Sequence, residues 1–192
     1  SAVTYTPAQH YNGADTLTVL TSDGGNTGSG GTLTDSDQIA ITVSSINDAP
    51  VWIGASRSTN EDVTFEEQVS SLLVGKVTDV DSTGMAGIAI TWDFGNRAVN
   101  NGTWFWADSS QTSWTAISKT AYGPSTSIFL KATDYLRYVP VANADASTQQ
   151  GNLVVRVADD TMPVTASGAV LNLTGILPNY WSVAEKSISV DL

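Results

Sequence analysis

Apolar and polar residues alternate with period two through most of the chain. Leu17 and Val19 stand among Thr16, Thr18 and Thr21, and Ile39, Ile41 and Val43 are spaced by Ala40 and Thr42. Ile88, Ile90 and Trp92 are spaced by Ala89 and Thr91, Leu153, Val155 and Val157 by Val154 and Arg156, and Ile188 and Val190 by Ser189. Successive side chains on a strand point to opposite faces, so each run predicts a strand with one buried face. The runs are short and bounded by Gly, Asp, Asn or Pro, which is the pattern of an antiparallel β-sandwich. No long helix is expected, only single turns near Glu66–Leu72 and Thr133–Leu136.

The pattern repeats. Tyr5-Thr-Pro7, Leu17-Thr-Val19 and Asp23 recur as Tyr138-Val-Pro140, Leu153-Val-Val155 and Asp159, and Ile41-Thr-Val43 recurs as Ile188-Ser-Val190. Residues 1–45 therefore read as the last strands of one sandwich repeat, and residues 52–192 as a complete one. Between them, Ser45-Ile46-Asn47-Asp48-Ala49-Pro50-Val51 reads as a stiff extended linker, because Pro50 fixes its own φ and pushes Ala49 to an extended conformation. Two or three strands do not bury a core alone. The first segment must lean on the second, pair with another chain, or complete a domain whose start lies elsewhere. The Gly-rich stretch Asp23–Thr34 is expected to be a hairpin tip; it lacks the Lys-Ser/Thr of a phosphate cradle.

Charge narrows the function classes. Among 192 residues, 8 Lys+Arg face 19 Asp+Glu, for a net charge of −11. Such a surface repels phosphate backbones and anionic lipid, so neither nucleic acid nor a membrane is an expected partner. The chain has no cysteine, which excludes disulfides, thiol catalysis and zinc–thiolate sites. No apolar run long enough to span a bilayer and no secretory leader is visible, and Ser1 in place of Met suggests a piece of something longer.

Several motifs together carry a family resemblance. Tyr5-Thr-Pro7, Asn12-Gly13-Ala14-Asp15, Asp23-Gly24 and Asn47-Asp48-Ala49-Pro50 resemble the end of a bacterial cadherin-like repeat. Asn60-Glu61-Asp62, Asp79-Val-Asp81, Asn101-Gly102-Thr103-Trp104 and Leu136-Arg137-Tyr138-Val-Pro140 resemble the next repeat. The pattern is similar to that of the giant repetitive RTX adhesins exported by type I secretion. The resemblance implies an all-β, Ig-like (cadherin-like) antiparallel β-sandwich preceded by a partial sandwich repeat, with joints that bind Ca²⁺. By matching position it implies a ligand set of Asp15, Asn47, Asp48, Glu61, Asp79, Asp81 and Asp159, with Asp62 and Asp160 adjacent. The second unit departs from the family pattern at two turns, Asn143-Ala-Asp145 and Ala107-Asp108-Ser109-Ser110-Gln111.

The chemistry is independently sound. Ca²⁺ takes six to eight oxygens, many of them carboxylate and main-chain carbonyl. Asp79 and Asp81 lie two apart, so on a strand both carboxylates share a face and repel each other unless a cation joins them. Any one of these acids alone reads equally well as a solubilising residue at a strand end; the group is what points to a metal.

Other constellations are weaker. Glu66-Glu67 and Asp159-Asp160 are adjacent, hence on opposite faces, and make no acid–base dyad by themselves. His10, the only histidine, cannot build a zinc site from this chain and reads as an exposed turn residue. No enzyme is expected. Of the six tryptophans, Trp104 and Trp106 share one face with Trp114 across a turn and read as core; Trp52, Trp92 and Trp181 add to a high total, some of which is expected to be exposed. Tyr180-Trp181 is the expected exposed aromatic pair and Tyr122 a second exposed aromatic, suited to a peptide or glycan ligand. The long stretches 92–128 and 160–182 would build such a pocket.

The reading that follows is a calcium-stiffened extracellular module of a bacterial adhesin, partnered by neighbouring repeats of its own chain and serving adhesion or biofilm formation. The alternative is a ligand-binding module of the adhesin tip. Burial of all six tryptophans favours the first, and an exposed aromatic beside the acidic cluster the second.

Overall fold

The computed structural model describes residues 2–25, 29–82, 84–93, 102–117, 123, 125–143, 150–163, 166–174 and 178–192. The fold is all-β and sandwich-like. The chain divides into two units, Ser1–Ile46 and Asn47–Leu192, one residue beyond the boundary expected from the repeat.

The first unit is a hairpin of β1 (Gly13–Ser22) and β2 (Thr34–Val43), paired antiparallel with Leu17 opposite Ile39. The Gly-rich stretch falls between the two strands, with residues 26–28 outside the described residues. There the Asp23 carboxylate accepts the main-chain N–H of Gly25 at 2.8 Å and of Leu33 at 3.0 Å, closing the loop from its base. His10 is exposed in a turn, with φ of 61°.

The second unit runs β3 (Val51–Trp52), β4 (Ala55–Ser58), β5 (Phe65–Gln68), helix α1 (Val69–Leu73), β6 (Val77–Thr78), β7 (Met85–Asp93), β8 (Thr103–Ala107), β9 (Thr115–Ala116), β10 (Ser127–Lys131), β11 (Tyr135–Val139), β12 (Gln150–Asp159), β13 (Val170–Leu171), a 3-10 turn at Pro178–Tyr180 and β14 (Lys186–Asp191). A six-stranded sheet has the order β13-β10-β7-β12-β14-β4, and a four-stranded sheet the order β5-β11-β8-β9. Pairing is antiparallel except between β14 and β4. The separate two-stranded sheet β3–β6 ties the entry of the chain to the segment after α1.

The alternating residues meet between the two large sheets. Ile88, Ile90, Ile128, Leu130, Leu153, Val155, Val157, Ile188 and Val190 pack against Trp104, Leu136, Tyr138, Leu72 and Trp52. Trp104 lies at the aromatic centre, its ring 5.1 Å from Tyr138 and 6.4 Å, edge-on, from Phe65. The outer face of the six-stranded sheet is covered too. Ala89, Phe129 and Ala158 lie under Met162 and Trp181, with Leu171, Leu173 and Tyr180 against them. A sheet buried on both faces needs apolar residues at both parities, which is why Val154 breaks the alternation and is itself buried.

The turn at residues 107–111 closes without the glycine the resemblance implies, and of the turn at residues 143–145 only Asn143 is among the described residues. After β8, Gln111 adopts the left-handed φ (54°) that Gly would supply, and its N–H donates to the Asp108 carbonyl at 3.0 Å. The Asp108 carboxylate accepts the Ser110 N–H and hydroxyl, which holds it below the usual carboxylate range. At the other turn Asn143 has φ of 56°, and its N–H donates to Asp62 at 2.9 Å.

The short helix starts on the β10–β11 turn. Val69 N–H donates to the Asp134 carbonyl and Ser70 N–H to that of Ala132, both at 2.8 Å, so two of the helix's first N–H groups are satisfied outside it. The Asp134 side chain is buried beneath this junction and accepts the Lys131 N–H at 2.7 Å. Burial pushes its carboxyl above the usual 3.8, only partly offset by the Ser167 hydroxyl and Lys131. A raised folded-state value means that the stabilisation by its proton is complete below the unfolded value and is lost as pH rises through the folded one. Asp134→Asn keeps the shape and removes the titration. Its denaturation midpoint is therefore expected to exceed the parent's at pH 7 and to fall less as pH rises from 3. Equal pH profiles for the two proteins would overturn the assignment.

Candidate metal centre

The expected linker does not stand free: Asn47 onward is laid onto the second unit. Pro50 is buried, and Trp52, two residues on, enters the core. This brings residues 47–48 against the end of β12 and the loop after β6. Asn47 is the hub. Its Nδ2 lies 2.7 Å from Asp159 Oδ2, 2.6 Å from the Asn179 carbonyl and 3.0 Å from the Asp48 carbonyl. Its Oδ1 lies 3.0 Å from the Thr161 hydroxyl, which is also 2.6 Å from Asp159 Oδ1. A carboxylate and two main-chain carbonyls thus converge on one amide nitrogen that has only two hydrogens.

The Asp48 N–H donates to Asp81 Oδ2 at 2.5 Å. Asp79 Oδ1 accepts the N–H groups of Asp81 (2.8 Å) and Ser82 (3.1 Å), the short turn that an Asp two residues upstream makes. Its other oxygen, Oδ2, is buried without a hydrogen-bond partner. Asp160, exposed, accepts the Ser82 hydroxyl at 2.6 Å. Segments 47–48, 79–82, 159–161 and 179 therefore meet in one place, although Asn47 and Asp159 are 112 residues apart in sequence.

The electrostatics of this place are unbalanced. Asp159 is fully buried. Among the described residues the ion pairs join Arg57 to Glu67, Arg137 to Glu66 and Arg156 to Glu185; none of these reaches Asp79, Asp81 or Asp159. A buried carboxylate surrounded only by neutral donors, and a second with an oxygen that meets none, are costly unless a positive charge joins them. The oxygen-only donor set of carboxylates, carbonyls and a hydroxyl suits Ca²⁺. Among the described residues, however, no three acidic or histidine side chains form a ready-made cage. Asp79, Asp81 and Asp159 are turned onto N–H and hydroxyl donors, and a bound ion would have to replace some of these bonds.

One of the expected ligands is placed elsewhere in the second unit. Glu61 is exposed beyond the opposite end of the sheet. Thr59 N–H donates to the Asp191 carbonyl, Asp191 is opposite Gln150, and Gln150 begins the strand that Asp159 ends. At about 3.3 Å per residue, the ten-residue β12 sets the two ends about 30 Å apart. Asp62 goes with Glu61, held by Asn143. Asp15 belongs to the first unit, where its Oδ2 accepts the Tyr5 hydroxyl at 2.7 Å. That bond holds the Asp15 carboxyl below the usual range and pushes the Tyr5 phenol up to about 12.

The aromatic expectations are corrected. Trp181 is buried rather than exposed, and Tyr180 is half-buried beside it. The loop segment that carries them is pinned by the Ser182 N–H on the Val157 carbonyl at 2.8 Å and lies over the sheet. Tyr122 lies outside the described residues, as do residues 94–101 and 118–121. Trp52 and Trp104 are core, and Trp106 packs partly against it. Trp114 is not core: it lies outside the four-stranded sheet with the Arg137 guanidinium 3.6 Å above its ring. Glu66 and Glu67 point to opposite faces, as their adjacency requires, and pair with Arg137 and Arg57 respectively.

Sequence reasoning missed a cavity of about 460 Å³ beside the cluster, walled by Leu73, Val77, Met85 and Ala132, with Asp79 and Ser82 among its lining residues. Its walls come from α1, β6 and β7, and no local pattern announces that they meet. No family model, curated protein or solved structure matches this chain.

Proposed function

We propose that the chain is a calcium-stiffened, non-enzymatic extracellular module of a bacterial adhesin, built as an Ig-like, cadherin-like sandwich in line with its motif resemblance. The observation that carries this reading is the fully buried Asp159 beside the orphaned Oδ2 of Asp79, with no ion pair among the described residues bringing a basic side chain to either. Asn47, Asp48, Asp79, Asp81 and Asp159 would hold the ion. Bound there, Ca²⁺ supplies charge neutralisation and ties residues 47–48 to the end of the sandwich. That makes the start of the second unit a fixed strut rather than a swivel, which suits a chain that projects a binding region and carries tension.

Burial of Trp181, the aromatic expected to be exposed, favours this spacer role over a ligand-binding tip, although Trp106 and Trp114 are only partly buried. The pairing of Glu66 and Glu67 with separate arginines on opposite faces removes the one adjacent Glu pair from consideration as a dyad. Calorimetric titration of the EDTA-treated chain tests the reading. Saturable Ca²⁺ binding that Mg²⁺ does not reproduce is expected, and heats no larger than dilution would reject it.

A further inference from the structure

The hairpin β1–β2 carries a second inference, independent of calcium. Among the described residues it is a two-stranded sheet, with no third strand on either edge. Its residue pairs Gly13–Val43, Asp15–Ile41 and Leu17–Ile39 share one face with Val19. Leu17, Val19, Ile39, Ile41 and Val43 form an apolar band on that face, which also carries Asp15, Asp35 and Asp37, yet Val19 is 37% and Ile39 51% exposed. Two-stranded hairpins are marginal in water, and an apolar band left open on one is unusual.

The second unit contains the answer to what such a hairpin binds. By sequence, β1 repeats β12 and β2 repeats β14. The structure refines the match. Leu153 is opposite Ile188, whereas Leu17 is opposite Ile39, so Ile39 rather than Ile41 takes the place of Ile188. The two-residue slip leaves every side chain on the same face. The strand ends match as well: Asp23 and Asp159 each accept the N–H two residues on, from Gly25 and Thr161. In the second unit this pair is not left open. β7 adds antiparallel along the other edge of β12, with Ile90 opposite Val155 and Ile88 opposite Val157, and the apolar face of the pair is fully buried.

The two open edges differ. β2 carries Asp35 and Asp37, charges of the kind that guard an edge against pairing. β1 (GADTLTVLTS) has one charge, Asp15, over ten residues, with neither Lys nor Pro. Its Thr-rich, β-branched sequence is a good template for strand addition.

We propose that β1 is an acceptor for an antiparallel β-strand of alternating apolar and polar residues, which adds to its free edge as β7 adds to β12 and places an Ile-like side chain beside Val19. The partner is thus a strand of sandwich type, and main-chain hydrogen bonds supply most of the recognition.

The probe is a synthetic peptide with the sequence of residues 85–93 flanked by lysines for solubility, added to the whole 192-residue chain. A scrambled peptide of the same composition controls for charge. Hydrogen exchange of the β1 amides is the readout. The expected result is saturable slowing by about tenfold or more across residues 14–21, absent with the scrambled peptide. Val19→Lys, a change at a half-exposed position that leaves the hairpin ladder intact, should abolish the slowing while the exchange of β2 in the free protein stays unchanged. Three results would overturn the proposal: no slowing up to the solubility limit, equal slowing by the scrambled peptide, or concentration-dependent dimerisation that Val19→Lys removes. The last would mean that the face serves a second copy of this chain.

Discussion

Millimolar Ca²⁺ added to the EDTA-treated chain should raise the thermal midpoint of the second unit by about 5–10 °C, with Mg²⁺ giving little. The size follows from mass action. A ligand at about 100 times its dissociation constant stabilises by about 2.7 kcal/mol. A domain of this size gains about 2–4 °C per kcal/mol. Mg²⁺ demands small octahedral geometry and gives up its water reluctantly, so a site spread over four chain segments suits it poorly. Asp79→Asn should remove most of the Ca²⁺ response, because it takes the charge from the one carboxylate whose Oδ2 meets no donor. Asp159→Asn should do the same. In EDTA Asp79→Asn should match or exceed the parent, since it removes the charge behind a buried oxygen that meets no donor while Oδ1 keeps its N–H partners. That inversion separates a metal site from a structural hydrogen-bond network, in which the same change would destabilise with or without Ca²⁺. Glu61→Gln should leave the response intact, because Glu61 lies at the other end of β12. A midpoint indifferent to Ca²⁺ would sink the metal reading and leave the cluster as a capped junction.

Trp104→Ala should cost about 3–5 kcal/mol in the second unit, seen as a fall in the denaturant midpoint with little change in slope. Trp104 is buried between Tyr138 and Phe65 and touches the inner faces of both large sheets, so truncation opens a cavity that rigid strands cannot close. Its indole N–H is buried without a partner. Trp104→Phe should therefore recover most of the loss, since it keeps the ring and removes an unsatisfied donor. Trp106→Ala should cost less, because that ring is only partly buried. If Trp104→Ala and Trp106→Ala cost the same, Trp104 is not the centre of the core.

The acidic cluster shows how far local pattern reaches. Asp79 and Asp81 are recognisable as a pair because spacing along one segment places them. Glu61 was grouped with them by motif order, yet the strand between puts it about 30 Å away. Trp181 follows Pro178-Asn179 in a stretch with no periodicity, and its neighbours alone read as an exposed loop. Its burial depends on Ala89, Phe129 and Ala158, small and apolar positions on two other strands and its own bridge partner's strand that leave room for the ring.

The amino-acid sequence by itself determined the all-β class, the places of the long strands, the Gly-rich connection between β1 and β2, the repeat that relates β1–β2 to β12–β14, and the inward set of residues on each. These are properties of period two and of turn chemistry, which act over a few residues. Only the tertiary structure decided that both faces of the six-stranded sheet are covered, that residues 47–51 lie on the second unit, that Asn47 meets Asp159, and that the hairpin slips by two residues without changing face. Each of these is a pairing between segments far apart in the chain. Such pairings are chosen by which surfaces bury together and which edges find partners, and period two is silent on both.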